Sequence, residues 1–352
     1  MLDPLESLTA PTLIVGTGLT GAMLAWLASH AGRDVLVVSS DRPSSQGTAL
    51  AAGVVHGLGP PGGPLEWLEM SEVDFADALR RDRKGYDDLR EVLIRARRPV
   101  GFIRRSHECV LSKATQAKKF LEAESRMRAA GFPVESYHRE DGVLLRRSHD
   151  AVVNPRRLTF ALLSQARAVG ARILLGRNVR LLSAEQDVRG ITVDIGGRRQ
   201  VFREVYWATN RLGKNLPSSR RESPRVVLYQ ELEEGEARLP GILEACDGAA
   251  LLVPSPQNPR RNLFVRVARD LGEGGLDWPE PPNSWTRYRG RAIRQRLSEL
   301  VVGSRNPGEA IPVGGSGYLF DLAGLSHWPV AALFGICRDA LLARSGHLEP
   351  SS

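Results

Sequence analysis

The chain has 352 residues, 42% hydrophobic and 25% charged, with 48 basic against 40 acidic residues and a net charge of +8. That composition excludes a disordered or fibrous chain and is long enough for two domains or one domain with a large insert. The basic excess is mostly arginine in scattered pairs such as Arg80-Arg81, Arg104-Arg105 and Arg260-Arg261. These read as solvated surface, and no nucleic-acid-binding motif accompanies them. Cys109, Cys246 and Cys337 are far apart in the chain, which argues against a disulfide framework or a metal site and fits a reducing compartment. The N-terminus carries acids where a secretory signal would place bases. The longest apolar stretch, Ala22 to Ala28, is too short to span a bilayer. A cytoplasmic protein with no membrane span, no metal and no nucleic-acid partner is therefore expected.

Thr12-Leu13-Ile14-Val15 reads as a buried parallel strand, and Asp34-Val35-Leu36-Val37-Val38 as a second. Between them lie glycines 16, 18 and 21, a run of helix formers from Ala22 to Ala28, and a helix stop at Gly32. Residues 41–64 read as a Gly/Pro/Ser-rich loop, and 65–98 as a charged helix. Short strands are expected at 100–111 and 143–147 around a helix over 113–130. Asn154-Pro155 opens a helix that stops at Gly170. Strands follow at 172–175 and 179–182, a hairpin turns at Gly196-Gly197, and another strand covers 204–209. Further strands are expected at 226–232, 249–253 and 262–267, an amphipathic helix at 284–300, a strand at 318–322 and a last helix from Pro329 to about Ala343. The order suggests a nucleotide-binding domain assembled from three pieces and interrupted twice by a mostly antiparallel one.

Gly16-Thr17-Gly18-Leu19-Thr20-Gly21 carries chemistry because of its context. Gly16 allows the tight turn, Gly18 lets a pyrophosphate approach the backbone, and Gly21 lets helix and strand pack closely. The N–H groups at the helix start, around Leu19 and Thr20, favour the negative phosphates. The acid expected at the end of the second strand, to hold a ribose, is replaced by Ser39, followed by Ser40 and Asp41. Asp41 can substitute if the turn brings it back. A serine with no acid also fits NADP, with Arg42 near a 2′-phosphate.

Five segments, in order, resemble the FAD-dependent oxidoreductases of the D-amino-acid oxidase and glycine oxidase superfamily. They are Thr12 to Val38; Gly47-Thr48-Ala49-Leu50-Ala51-Ala52-Gly53-Val54-Val55; Val153-Asn154-Pro155-Arg156-Arg157-Leu158 through Gly170-Ala171 to Val179; Trp207-Ala208-Thr209-Asn210; and Gly303-Ser304-Arg305-Asn306-Pro307 with Ile311-Pro312-Val313-Gly314 and Phe320 to Gly335. The resemblance implies an α/β protein: a Rossmann-like FAD-binding domain (8–72, 148–222 and 302–346) with an inserted, mostly antiparallel α+β substrate domain (73–147 and 223–301).

It also implies roles. Ala51, Ala52 and Gly53 would lie along the pyrophosphate and flavin, and the Val179 backbone would bind adenine. Ala208 and Thr209 would sit near the adenosine and pyrophosphate. Gly324, Leu325, Ser326, His327 and Trp328 would approach the flavin ahead of the last helix, whose N–H groups would stabilise negative charge on the ring. Arg305 would pair with the carboxylate of a small-molecule substrate, and His327 joins it as a catalytic candidate. Arg266 and Arg269 are weaker arginine candidates, and Tyr229 and Tyr318 are candidate pocket walls. His56 follows the flavin loop, where some members attach FAD covalently. The expected activity is oxidation of a C–N bond of an amino acid or small amine. The alternatives are an NADP-dependent dehydrogenase and a degenerate flavin-binding member without catalysis.

Overall fold

The computed structural model describes residues 12–45, 48, 51–56, 70–111, 117–129, 134–139, 142–183, 190–209, 225–245, 250–256, 258, 260–270, 276–278, 283–300, 310–313, 317–322 and 330–342. In chain order these form β1 (Thr12–Val15), α1 (Leu19–His30), β2 (Val35–Ser39), α2 (Glu72–Arg95), β3 (Ile103–Leu111), α3 (Ala117–Ala129), β4 (Val134–Arg139), β5 (Gly142–Val152), α4 (Pro155–Ala168) and β6 (Arg172–Leu175). Then come β7 (Val179–Ser183), β8 (Ile191–Ile195), β9 (Arg198–Phe202), β10 (Glu204–Trp207), β11 (Arg225–Glu234), β12 (Ile242–Ala245), β13 (Ala250–Pro254) and β14 (Arg261–Val267). The short pair β15 (Arg269–Asp270) and β16 (Leu276–Asp277), a 3-10 turn at Asn283–Tyr288, β17 (Arg289–Leu300), β18 (Ala310–Val313), β19 (Gly317–Asp321) and α5 (Val330–Leu342) complete the described chain.

The first sheet has the order β18-β19-β10-β1-β2-β6 and is parallel except for β18. Its central strands are apolar at successive positions because both faces are covered. Leu13, Val15, Leu36, Val38, Val205 and Trp207 pack on the β7-β8-β9 meander. Ile14, Val35, Val37, Tyr206 and Phe320 face the helical layer instead. Helix α1 lies under the sheet against α4 and α5 and is buried from Leu19 to Ser29, so it is apolar on every side.

Helix α2 packs along α5 at a distance that only glycine permits. A Cβ at Gly85 would stand 1.8 Å from the Ala331 carbonyl oxygen, and one at Gly335 would stand 2.5 Å from that of Arg81. Arg338 clasps the buried Asp88 carboxylate, with Nε 3.0 Å from one oxygen. Burial raises the Asp88 carboxyl above its usual range, against the opposing pull of Arg338.

The second sheet has the order β17-β11-β14-β13-β12-β3-β5-β4 and is antiparallel except between β12 and β3. One face carries Leu232, Leu243, Leu252, Phe264, Trp285 and Tyr288. The other carries Val227, Tyr229 and Val265, packed with Ala52 of the loop after β2.

The helix expected over 284–300 is a strand. Residues 283–288 form the 3-10 turn that buries Trp285 and Tyr288, and Arg289 to Leu300 is the edge strand β17 on β11. The charged, helix-forming residues there suggested an exposed helix face, but an edge strand is equally exposed, and pairing with β11 overrides local propensity. Gly290 was the overlooked signal. A Cβ there would lie 2.7 Å from the Glu233 carbonyl oxygen, beside the irregular register of β11 and β17. Strands β4, β12 and β18 were also not anticipated, and the strand expected at 143–147 is part of the eleven-residue β5.

Candidate active site

The carboxyl ends of β1, β2 and β10 converge on the glycine run. The Gly16 amide donates to Val38 O (2.8 Å), and the Ala208 amide donates to Val15 O (2.9 Å). Gly16 has φ +113°, and a Cβ there would lie 2.6 Å from Ala208 O. A Cβ on Gly21 would lie 2.0 Å from Gly16 O. Ala208, Thr209, Gly16 and Gly21 therefore form one packed corner, and no side chain fits at either glycine.

Gly18 caps α1 without a side chain. The hydroxyl of Thr48 does this work from the next loop, accepting the Leu19 amide at 2.7 Å. Ser44 sits beside the same turn, its amide donating to Thr17 O (3.4 Å), with φ +58°. Its side-chain oxygen is buried and has no hydrogen-bond partner among the described residues. Thr48 lies in the expected cofactor loop but is not singled out there by the sequence, and Ser44 is missed as a site candidate because it falls in no motif. A glycine-floored helix start with an unpartnered buried hydroxyl beside it fits a polar, phosphate-bearing group.

Ser39 is buried and its hydroxyl accepts the Asp41 amide (3.4 Å), while Ser40 and Asp41 are exposed. Ser39 O accepts the Arg177 amide (3.1 Å), which draws the turn before Val179 to the end of β2. Val179 then begins β7 opposite Ile195.

Ala51, Ala52 and Gly53 lead into a segment that extends the edge of β5. Val153 N donates to Gly53 O and Val55 N to Ala151 O, each at 2.8 Å. Gly53 has φ +69°, and a Cβ there would be 2.1 Å from Val153 O. On its other side the segment binds α5, whose Val330 and Ala331 amides donate to Val54 O (2.8 Å) and Val55 O (2.9 Å). The expectation of open N–H groups at the start of the last helix is therefore not met at these two residues. Arg305, Gly324, Leu325, Ser326, His327 and Trp328 lie outside the described residues.

Arg266 does not face Ala52. Side chains alternate along β14, and Val265 takes that face. The Arg266 guanidinium lies over the rings of Phe264 (5.5 Å) and Trp278 (5.8 Å) on the opposite side. Tyr229 does pack on the Ala52 face, fully buried, and burial holds its hydroxyl well above the usual tyrosine range. Arg269 begins β15, opposite Asp277.

A buried polar cluster escaped the sequence reading. His107 Nδ1 lies 2.7 Å from Asp150 Oδ2, and Nε2 lies 2.9 Å from Glu244 Oε2. Burial alone would lower the imidazole's pKa, but the two carboxylates overcome this and raise it to about 9. The other Asp150 oxygen accepts the amides of His56 (3.1 Å) and Ala151 (2.6 Å). His56 Nδ1 lies 2.5 Å from Asp82 Oδ2 of α2. The members come from five separate segments, so no local motif announces them.

The parallel sheet, the glycine corner and the antiparallel second sheet together define a dinucleotide-binding oxidoreductase of two-sheet architecture. Residues 12–338 match the FAD dependent oxidoreductase family, DAO. The chain belongs to that family: it is an FAD-dependent oxidoreductase, and FAD is its cofactor. The nicotinamide reading of Ser39 and Arg42 falls with this match. Comparison with curated proteins gives no match.

Solved structures share the fold. Glycine oxidase from Bacillus cereus ATCC 14579 is 14% identical, with a TM-score of 0.69 over 97% of this chain and 96% of that one. Iminodiacetate oxidase from Chelativorans sp. BNC1 is 17% identical, with a TM-score of 0.69 over 95% of each. L-proline dehydrogenase from P. horikoshii is 12% identical, with a TM-score of 0.71 over 96% of this chain and 94% of that one. Among the described residues no helix is long and apolar enough to cross a membrane, and no cluster of ligating side chains suits a metal.

Proposed function

We propose that this enzyme oxidises a C–N bond of an amino acid or small amine. The observation that carries the reading is the glycine corner joined to the Ala51–Gly53 loop, beneath a sheet face bearing the buried Tyr229. The fold shared with a glycine oxidase, an iminodiacetate oxidase and an L-proline dehydrogenase supports the substrate class. We further propose a cofactor domain over 8–72, 148–222 and 302–346 and a substrate domain over 73–147 and 223–301; the membership of the two large sheets supports this division, while α2 packs on α5 of the cofactor part.

In this reading Gly16, Gly18 and Gly21 keep the backbone open to the pyrophosphate and Thr20 faces it, while the Leu19 amide is already taken by the Thr48 hydroxyl (2.7 Å). Thr48 holds the start of α1 and Ser44 offers a hydroxyl beside it, with Ser39, Ser40 and Asp41 at the sugar in place of the usual acid. Ala208 and Thr209 close the adenosine side, and the Val179 backbone meets adenine. Ala51, Ala52 and Gly53 run along the flavin, and the family resemblance assigns Gly324, Leu325, Ser326 and Trp328 to the flavin approach ahead of the last helix. FAD, when bound, supplies the acceptor for two electrons and a proton equivalent. Arg305 orients the substrate through its carboxylate, and His327 contributes a polar contact at the reacting end. The substrate amine must arrive neutral, so no strong protein base is required.

The test is anaerobic reduction of the purified yellow protein by a panel of amino acids, N-substituted glycines and small amines. Bleaching by at least one amine is expected. Bleaching by hydroxy compounds such as glycerophosphate and by no amine would overturn the reading. A cytoplasmic location, suggested by three cysteines spaced far apart in the sequence, is part of this proposal, and cell fractionation checks it.

A further inference from the structure

A cavity of about 260 Å³ opens between α2, β3 and β5. It is lined by Val55, His56, Tyr86, Phe102, Arg104 and Ala151, with Asp150 at its wall. It lies on the other side of β5 from the Ala52 face. Val152 packs with Ala52 and Ile242, whereas its neighbour Ala151 points into the helical core and lines the cavity.

The charges around this space are unevenly matched. Both Asp150 oxygens are engaged, by His107 and by two backbone amides. Asp82 is engaged by His56. The Arg104 guanidinium has no ion-pair or hydrogen-bond partner among the described residues. Arg105, next along β3, does not line the cavity; one of its guanidinium nitrogens donates to Arg104 O (3.2 Å). The opposite walls are apolar and aromatic, and the rings of His56 and Tyr86 lie 4.8 Å apart at 34°.

We propose that this cavity is a binding site for a small organic carboxylate, its charged end on Arg104 and its apolar body against Tyr86, Phe102 and Val55. Guanidinium is the side chain best suited to a carboxylate, because it offers two parallel hydrogen bonds. The volume admits a ligand of roughly ten heavy atoms, at the small end of known ligand pockets. The site stands independently of the substrate class proposed above. It is nevertheless coupled to the cofactor loop, because Val55 lines the cavity while its carbonyl oxygen holds the Ala331 amide of α5.

Isothermal titration of the FAD-bound full chain with phenylacetate tests the site, with phenylacetamide as the uncharged control. Phenylacetate is expected to bind, and the amide at least about tenfold more weakly. Arg104→Gln should weaken phenylacetate binding at least about tenfold, and Arg104→Lys less, with FAD content unchanged in both. Three results would each overturn the proposal: no binding up to about 10 mM, equal binding to Arg104→Gln, or binding lost in Arg305→Gln but kept in Arg104→Gln. The last would place the carboxylate in the substrate site.

Discussion

His107 Nδ1 and Asp150 Oδ2 lie 2.7 Å apart, with both side chains sealed from solvent. The imidazole's pKa stands at about 9 in the folded chain, above its ordinary value of 6.5. Below about pH 6.5 it is protonated whether folded or not, and the full stabilisation is present. As pH rises through about 9 the folded state loses this advantage, on the order of 3 kcal/mol at most. Urea unfolding between about pH 6 and pH 10 should show a falling midpoint, and His107→Gln should flatten that slope while lowering stability at neutral pH. A wild-type midpoint that does not fall over this range would contradict the charged state assigned to His107.

The contact between Gly21 and Gly16 O makes a second prediction. Gly21→Val must push α1 off the sheet, because the 2.0 Å obstacle to a Cβ is backbone and has no rotamer to yield. Purified variant should lose most of its bound FAD, read as the ratio of visible to ultraviolet absorbance.

Thr48→Val tests the hydroxyl that meets Leu19 N. Losing a helix cap typically costs about 1 kcal/mol. FAD affinity, followed by fluorescence quenching of apoprotein titrations, should fall about tenfold or less, a far milder change than at Gly21.

The crossing of α2 and α5 depends on glycine at both 85 and 335. Gly85→Leu should destabilise by at least the roughly 1–3 kcal/mol of an overpacked core, read as a drop in melting temperature. Because Val330 and Ala331 hold the Ala52–His56 segment, FAD should be released at the same transition.

Arg266→Gln should leave KM for the reducing amine unchanged. Its guanidinium stacks on Phe264 and Trp278, so the expected effect is a stability loss of about 0.5–2 kcal/mol. A KM raised tenfold with normal stability would return Arg266 to the substrate site.

The sequence by itself determined the β1–α1–β2 unit, the α4 start at Asn154, and the roles of Gly16 and Gly21, because each depends on residues a few positions apart. Asn154 accepts the Arg157 amide, as its place before proline suggested. Only the tertiary structure decided that Arg289 to Leu300 is a strand, since its partner β11 lies more than fifty residues earlier. The same holds for the buried Glu204 of β10, which joins Thr12 on the neighbouring β1 and Arg33 just before β2, and for His107, which depends on Asp150 and Glu244. A charged residue reads in the sequence as surface, because isolated burial of charge is prohibitive. It becomes a core residue only when distant chain brings the partner, and no local pattern records that meeting.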